Sequence, residues 1–349
     1  MQELDFRKFR EFDSHKLVVR IEDKEAGLRG FVAIHNDNLG LPAVGGTRML
    51  PYRTEKTALV DVLKLSRAMT YKCALAKVPY GGGKAVIIGN SRRHKTEKLL
   101  QAYANQINAL EGRFCTGEDV GITQNDVNVM LKTSHFLIGK PNLAEDPSPF
   151  AALSTFYGIE SAVSFVFEKD SLSGIKVAIK GVGKVGKELA RLLTEVGATI
   201  YVSDKDRNAL LEIKQKIPTV EVVENKRINM LMVDVYAPCA LGDEFSMRNA
   251  PRIKAKIICG GANNQLADNR VGDWFFNHDI LYIPDYVANS GGLIDVVDEL
   301  ESGGYKKERV LERIANVKNT VREIIVSSRE NNRSPHRIAD ELAEKYFKN

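Results

Sequence analysis

The spacing of apolar residues changes character along the chain, and each change marks an element. In "LVVRIEDKEAGLRGFVAIHND" the alternation predicts two strands around a turn near Gly27, the second running from Gly30 to His35. In "TEKTALVDVLKLSRAMTYKCAL", Leu59, Val62, Leu63 and Met69 recur at the spacing of one helical face. From Ile138 to Phe150, "IGKPNLAEDPSPF" carries three prolines and breaks the periodicity, so it reads as an interdomain linker. Beyond it, "GIKVAIKGVGKVGKELARLLTEVGATIYVSDKD" predicts a strand (Ile175 to Lys180), a glycine turn, a helix stopped at Gly197, and a second strand (Thr199 to Ser203). Val185, Leu189, Leu192, Leu193 and Val196 share one face of that helix, as packing on a sheet requires. Short apolar strands follow at Met232 to Tyr236, Lys256 to Cys259 and Leu281 to Pro284, and the stretch from Val310 to Phe347 is helical in pattern.

This order predicts an α/β protein of two domains: an N-terminal α/β substrate domain, residues 1–140 with 330–349 returning to it, and a Rossmann-type dinucleotide-binding domain, residues 145–329, with a cleft between them. A length of 349 residues supports two separate cores. The net charge of +5 is spread in short runs such as Arg92-Arg93-His94-Lys95, without interleaved aromatics, and argues against nucleic acid as a partner. The start, "MQELDFRKFREF", has no apolar core of a signal peptide, and no apolar run reads as long enough to span a bilayer, so a cytoplasmic protein without a membrane partner is expected. Cys73, Cys115, Cys239 and Cys259 are far apart, form no ligand set for a metal, and read as buried reduced thiols.

Two glycine clusters carry candidate chemistry. Gly181, Gly183 and Gly186 follow a predicted strand and open a predicted helix, and Asp204 ends the next strand. Gly181 permits the turn, Gly183 lets backbone approach a pyrophosphate, Gly186 allows close helix packing, and Asp204 accepts from ribose hydroxyls, which favours NAD; neighbouring Lys205 weakens that preference. The second cluster, "VPYGGGKAVII", reads as a glycine turn entering a strand. Lys84 is followed by Ala85 rather than Ser or Thr and a helix, so the phosphate-cradling pattern fails. A structural lysine at a turn and a catalytic lysine both remain. Lys72 in "MTYK" and Asp119 in "CTGEDVGIT" point to a site for an anionic substrate, although either carboxylate of that stretch could be a surface charge or a helix cap.

"VGGTRM", "MTYK", "GGGKAVI", "GEDVG", "APCALG", "GANNQL" and "PDYVANSGGLIDV" occur in this order over nearly the whole chain. Together they resemble the amino-acid dehydrogenases of the leucine, phenylalanine and valine type, kin to glutamate dehydrogenase. The resemblance implies NAD-dependent oxidative deamination of a large apolar L-amino acid to the 2-oxo acid, ammonium and NADH, and the reverse reductive amination, in a homo-oligomer. It implies that Lys72 and the backbone at Gly45 and Gly46 hold the substrate carboxylate, that Lys84 activates water, and that Asp119 exchanges protons with the amino group. Asn263 is implied near both nicotinamide and substrate, with Gly181, Val182, Gly183, Lys184, Val185, Gly186, Asp204, Lys205, Cys239 and Ala240 around the cofactor. Val44, Met69, Gly117, Leu293 and Val296 are implied at the side-chain end of the pocket, where Gly117 and Leu293 match the phenylalanine type rather than the leucine type.

Three departures stand out: an extra residue near Leu41, Lys184 where Asn is common, and Ala151 and Ser154 where Thr and Gly are usual. The lost hydroxyl at 151 motivates an alternative, a catalytically impaired NAD-binding regulator on the same fold.

Overall fold

The computed structural model describes residues 5–140, 146–240, 242 and 244–348. They form two compact units: residues 1–145, 296–306 and 343–349, and residues 146–295 with 307–342. The helical C-terminal region therefore belongs mostly to the second unit, and residues 330–342 do so as well. Tyr286 Oη donates to Asp340 Oδ1 at 2.6 Å, and Arg337 forks onto Asp273 at 2.6 and 2.7 Å, which ties that segment to the second unit.

The first unit is built on a five-stranded sheet of β1 (Leu17–Asp23), β2 (Leu28–Asn36), β3 (Ala43–Leu50), β4 (Gly81–Ile88) and β5 (Phe114–Gly117), in the order β1-β2-β4-β3-β5. β2 runs antiparallel to both its neighbours, β1 and β4, whereas β4, β3 and β5 run parallel. Helix α1 (Glu55–Leu75) covers one face with Ala58, Leu59, Val62 and Leu63 against Phe31, Ala33 and Val86. Helices α2 (Glu97–Asn108) and α3 (Gln124–Leu131) cover the other, where Leu100, Tyr103, Val127 and Met130 meet Val32, Ile34, Ala85 and Phe114. Thr54 and Thr96 cap α1 and α2 by accepting backbone N–H bonds, which starts each helix where the apolar period begins.

The three glycines before Lys84 are not a turn. They are the first three residues of β4, paired at Gly82 and Gly83 with β2 on one side and at Gly81 and Gly82 with β3 on the other. Glycine is a poor strand former, and here close neighbours require it. A Cβ at Gly82 would lie 2.0 Å from the Thr70 backbone nitrogen, and one at Gly83 would lie 2.7 Å from the Phe114 ring. The glycines thus give clearance to α1 and to the core, rather than to a ligand.

The second unit begins with α4 (Pro147–Phe167), inside the stretch read as linker; the rest of that stretch, residues 141–145, lies outside the described residues. Asp146 caps α4 and Pro147 occupies its first position. This helix is long and apolar enough by composition to cross a membrane, contrary to the expectation that no such run exists. It packs instead against other helices of its unit, with Ala152, Phe156, Ile159, Ala162 and Val163 buried.

A six-stranded parallel sheet follows, made of β6 (Lys176–Lys180), β7 (Thr199–Ser203), β8 (Glu221–Val222), β9 (Val235–Pro238), β10 (Ile257–Ile258) and β11 (Leu281–Tyr282). Its order, β11-β10-β9-β6-β7-β8, is doubly wound, and the direction of winding reverses between β6 and β9. Helices α5 (Lys184–Glu195), α6 (Arg207–Lys216), α7 (Asn269–Asn277), α8 (Asp285–Ala288), α9 (Gly291–Val297), α10 (Lys307–Ala315), α11 (Val317–Glu330) and α12 (Pro335–Phe347) complete the chain. In open sheets of this kind ligands bind beyond the strand C-termini at the reversal.

Candidate active site

In β4, side chains alternate between the two faces of the sheet. Val86 faces α1 and Ala85 and Ile87 face α2, so Lys84 and Gly82 share the α1 face. Lys84 is 7% exposed, the one charged residue in a strand otherwise of glycine and aliphatics. A lysine buried there needs a carboxylate partner. Asp119 supplies it: its Oδ2 lies 2.9 Å from Lys84 Nζ. Burial alone would raise the Asp119 carboxyl, but the charges of Lys84 and Arg48 outweigh it and hold it at about 2. Asp119 therefore rests as a carboxylate, the form that can take up a proton.

Of the other residues implied at the substrate end, Gly45 and Gly46 lie beside this pair. In the β3–β5 register Gly46 stands opposite Gly117. A Cβ at Gly46 would lie 2.5 Å from the Glu118 carbonyl oxygen and 2.9 Å from Asp119 Cβ, so only glycine admits the loop that carries Asp119. A Cβ at Gly45 would meet the Gly83 carbonyl oxygen at 1.9 Å and Met69 Cγ at 3.3 Å. Met69 thus lies over Gly45, and Lys72, half-buried, follows it in the last turn of α1. A methyl on Gly117 would lie 2.7 Å from the Ile138 carbonyl oxygen, so the space beside this glycine is bordered by backbone. Val44 is fully buried in β3, Leu293 is buried in α9, and Val296 is half-buried near Gly139.

Sequence reading missed the partners that hold Asp119 from behind. Arg48 Nε donates to Asp119 Oδ2 at 3.2 Å, and Arg48 Nη1 lies 3.4 Å from Asp61 Oδ2 on α1. Tyr52 Oη donates to that same Asp61 oxygen at 2.6 Å. The signal was present: Arg48 lies within "VGGTRM", and Asp61 interrupts the apolar run "ALVDVLKL".

At the reversal of the parallel sheet, the second glycine cluster does form a turn. Gly181 has φ +96°, and a Cβ there would lie 2.6 Å from the Ala240 nitrogen on the far side of the reversal. A Cβ on Gly186 would lie 2.0 Å from the Gly181 carbonyl oxygen and 3.3 Å from Cys239 Cβ, so α5 can sit tightly on the turn only with glycine there. Gly183, at the start of α5, has nothing within 4 Å of its Cβ position. Open space at a helix N-terminus whose first N–H groups lack partners in the helix suits a pyrophosphate. Val185 stands against Gly261, at 2.6 Å from its built Cβ. The Val182 N–H donates to Asp204 Oδ2 at 2.7 Å, and the Asp206 N–H to Asp204 Oδ1 at 2.9 Å, which fixes the carboxylate at the end of β7. These residues fit a dinucleotide. Lys184 Nζ pairs with Asp146 Oδ2 at 2.8 Å, and Lys205 is exposed. Burial pushes the Cys239 thiol up to about 11, and Cys239 is closely packed rather than nucleophilic.

Asn263 Oδ1 accepts from Asn289 Nδ2 at 2.6 Å, so its own amide nitrogen is directed away from Asn289 as a donor. At the position of one departure, Ser154 is fully buried. Its Oγ donates to the Ala151 carbonyl at 3.0 Å and accepts from the Gly291 N–H at 2.9 Å, which anchors the start of α9.

Residues 14–136 match the family described as Glu/Leu/Phe/Val dehydrogenase, dimerisation domain, and residues 150–344 match Glutamate/Leucine/Phenylalanine/Valine dehydrogenase. A leucine dehydrogenase of Bacillus cereus is 39% identical over 344 residues, 98% of this chain and 93% of that one. A phenylalanine dehydrogenase of Lysinibacillus sphaericus is 41% identical over 323 residues, 90% of this chain and 84% of that one. The crystal structure of L-tryptophan dehydrogenase from Nostoc punctiforme superposes with a TM-score of 0.85 at 39% identity, covering 98% of both chains. With the nucleotide turn and the Lys84–Asp119 pair in place, these matches make the chain an NAD(P)-dependent amino-acid dehydrogenase belonging to the Glu/Leu/Phe/Val dehydrogenase family.

Proposed function

We propose that this enzyme catalyses NAD-dependent oxidative deamination of large apolar L-amino acids, and the reverse amination. The carrying observation is the buried Lys84–Asp119 pair, 2.9 Å apart, in a strand that has no other charge. The leucine, phenylalanine and tryptophan dehydrogenases among its relatives support an apolar substrate. NAD rather than NADP is favoured by the fixed Asp204 carboxylate, which would receive ribose hydroxyls and repel a 2′-phosphate.

Lys72 and the backbone of Gly45 and Gly46 hold the substrate carboxylate. Asp119 takes a proton from the substrate ammonium, since only the neutral amine can be oxidised at Cα. A bound nicotinamide dinucleotide supplies the hydride acceptor. Lys84 then directs a water to the imino carbon and hydrogen-bonds the oxygen that develops there, after which the amine leaves as ammonium. Asn263, its amide oxygen engaged by Asn289, presents its amide N–H groups to the nicotinamide and the substrate. Met69, Gly117, Leu293 and Val296 bound the side-chain pocket, with aromatic substrates ahead of branched ones.

The test is purified protein with NAD and a panel of L-amino acids, followed by NADH absorbance. Turnover on phenylalanine, tryptophan or leucine is expected, and none on glutamate. NADH binding with no turnover on any apolar amino acid would overturn the reading and leave the NAD-binding regulator, which the missing hydroxyl at Ala151 favours. We also propose a homo-oligomer, in line with the dimerisation-domain match; a monomer by light scattering at micromolar concentration would contradict it.

A further inference from the structure

Asp119 sits in the loop between β5 and α3, outside any extended ladder. Its backbone is fixed by the Ile122 N–H, which donates to its carbonyl at 2.9 Å, and by the neighbouring contact of the Met49 N–H with the Val120 carbonyl at 2.8 Å. Its side chain is aimed by two cations that meet the same oxygen, Oδ2: Lys84 Nζ at 2.9 Å and Arg48 Nε at 3.2 Å. In the proposed reaction Lys84 also turns toward the attacking water, which competes with its hold on Asp119. At that moment Arg48 is the cation that keeps the carboxylate in place.

Arg48 is itself braced. A guanidinium is a planar fork with fixed donor directions, so a second carboxylate sets its plane. Asp61 Oδ2 lies 3.4 Å from Nη1, and Tyr52 Oη donates to that Asp61 oxygen at 2.6 Å. Burial, followed by the Asp61 carboxylate, pushes the Tyr52 phenol well above its ordinary range, so its proton stays on and the bond to Asp61 persists. The four side chains link β3, α1 and the Asp119 loop.

We propose that Arg48, braced by Asp61 and Tyr52, is a positioning residue for Asp119: it fixes the carboxylate through Nε and lets Lys84 leave the pair to act on the substrate. The inference rests on the reading that Asp119 exchanges protons with the substrate amine.

The experiment is a double-mutant cycle in the full-length enzyme, with Arg48→Gln, Asp119→Asn and the double variant assayed for kcat and for KM of NAD and the amino acid. Arg48→Gln should lower kcat about 30-fold with KM for NAD changed less than about 2-fold, and in the Asp119→Asn background it should cost less than about 2-fold more. In Arg48→Ala, guanidinium ion at about 50 mM should restore part of the lost kcat, an effect a loosened fold would not give, and it should restore nothing in Lys84→Ala. If Arg48→Gln does not fold, Asp61→Asn and Tyr52→Phe carry the test, with losses in kcat of about 3- to 10-fold that vanish in the Asp119→Asn background. Unchanged kcat in these variants, or losses that multiply fully with Asp119→Asn, would overturn the proposal. If Asp119→Asn alone turns over like wild type, the role given to Asp119 fails and this inference with it. If Asp119→Asn is impaired and Arg48→Gln is not, only the inference fails.

Discussion

Two stretches of this chain read alike, "GGGK" at 81–84 and "GVGK" at 181–184, yet they do opposite things with glycine. In the second unit the glycines form a turn that is open where a ligand belongs: Gly183 faces empty space, while Gly181 and Gly186 are close against backbone on either side of it. In the first unit the glycines form a buried strand with no such opening, because Thr70 and Phe114 fill the positions their side chains would take. The lysines differ in the same sense. Lys184 is largely exposed and pairs with Asp146, whereas Lys84 is buried and set against Asp119. A glycine cluster is therefore informative about a ligand only once it is known what occupies the missing side chains' space.

Substitutions can break or sharpen this contrast. The largest effect is expected for Lys84→Ala, which should lower kcat by about 10³-fold or more while the NADH dissociation constant, measured by fluorescence, moves less than about 2-fold. Comparable loss of NADH binding would mean that the two stretches are not separable. Gly82→Ala comes next: with the Thr70 nitrogen 2.0 Å from the new carbon, α1 must shift. It should cost about 3 kcal/mol or more in stability by denaturant unfolding. Gly183→Ala should be the mirror image, with a Tm within about 2 °C of wild type and NADH binding weakened about tenfold. Should Gly183→Ala unfold the protein and Gly82→Ala spare it, the assignment of open and filled glycines is reversed. Gly117→Ala is smaller, about 1 kcal/mol in stability through the Ile138 carbonyl, with the phenylalanine-to-leucine ratio of kcat/KM falling by about as much.

The mildest expectation concerns pH. Burial pushes His15 and His336 down to about 4 from their ordinary 6.5, so the folded chain binds fewer protons than the unfolded one between those values. Their contribution is complete above pH 6.5 and fades as pH falls toward 4. The thermal midpoint should therefore drop across that window, and less steeply in His336→Gln; a flat profile would contradict it.

The nucleotide half was legible because its signals are local. Strand, turn, helix and closing aspartate fall within 30 residues, and Val185, Leu189 and Leu193 show the helical face directly. The first half was legible in its strands and α1 but not in its meaning. The glycines of β4 looked like a turn because their reasons, Thr70 and Phe114, are 12 and 31 residues away from Gly82 and Gly83 respectively. Arg48 was in view as a motif residue, but its partners Asp61 and Asp119 lie on an overlying helix and a later loop, and no spacing rule joins the three. Helix α4 escaped because it is apolar on nearly every side, which erases the stripe that marks a surface helix. Ser154 shows the same limit at one atom: its hydroxyl finds the Gly291 N–H, 137 residues on.

The last turn of α12 has its own consequence for how the first unit is completed. Phe347 is 1% exposed, with its ring 5.3 Å from Tyr71 and 5.9 Å from His35, and its carbonyl accepts from Asn38 Nδ2 at 2.7 Å. On a translating ribosome the strands of the first unit emerge early, but the aromatic ring that closes this corner follows its partner Asn38 only 309 residues later. The first unit is thus begun before the second and closed after it, and until Phe347 arrives the ring of Tyr71, among the older parts of the chain, keeps a face open to water.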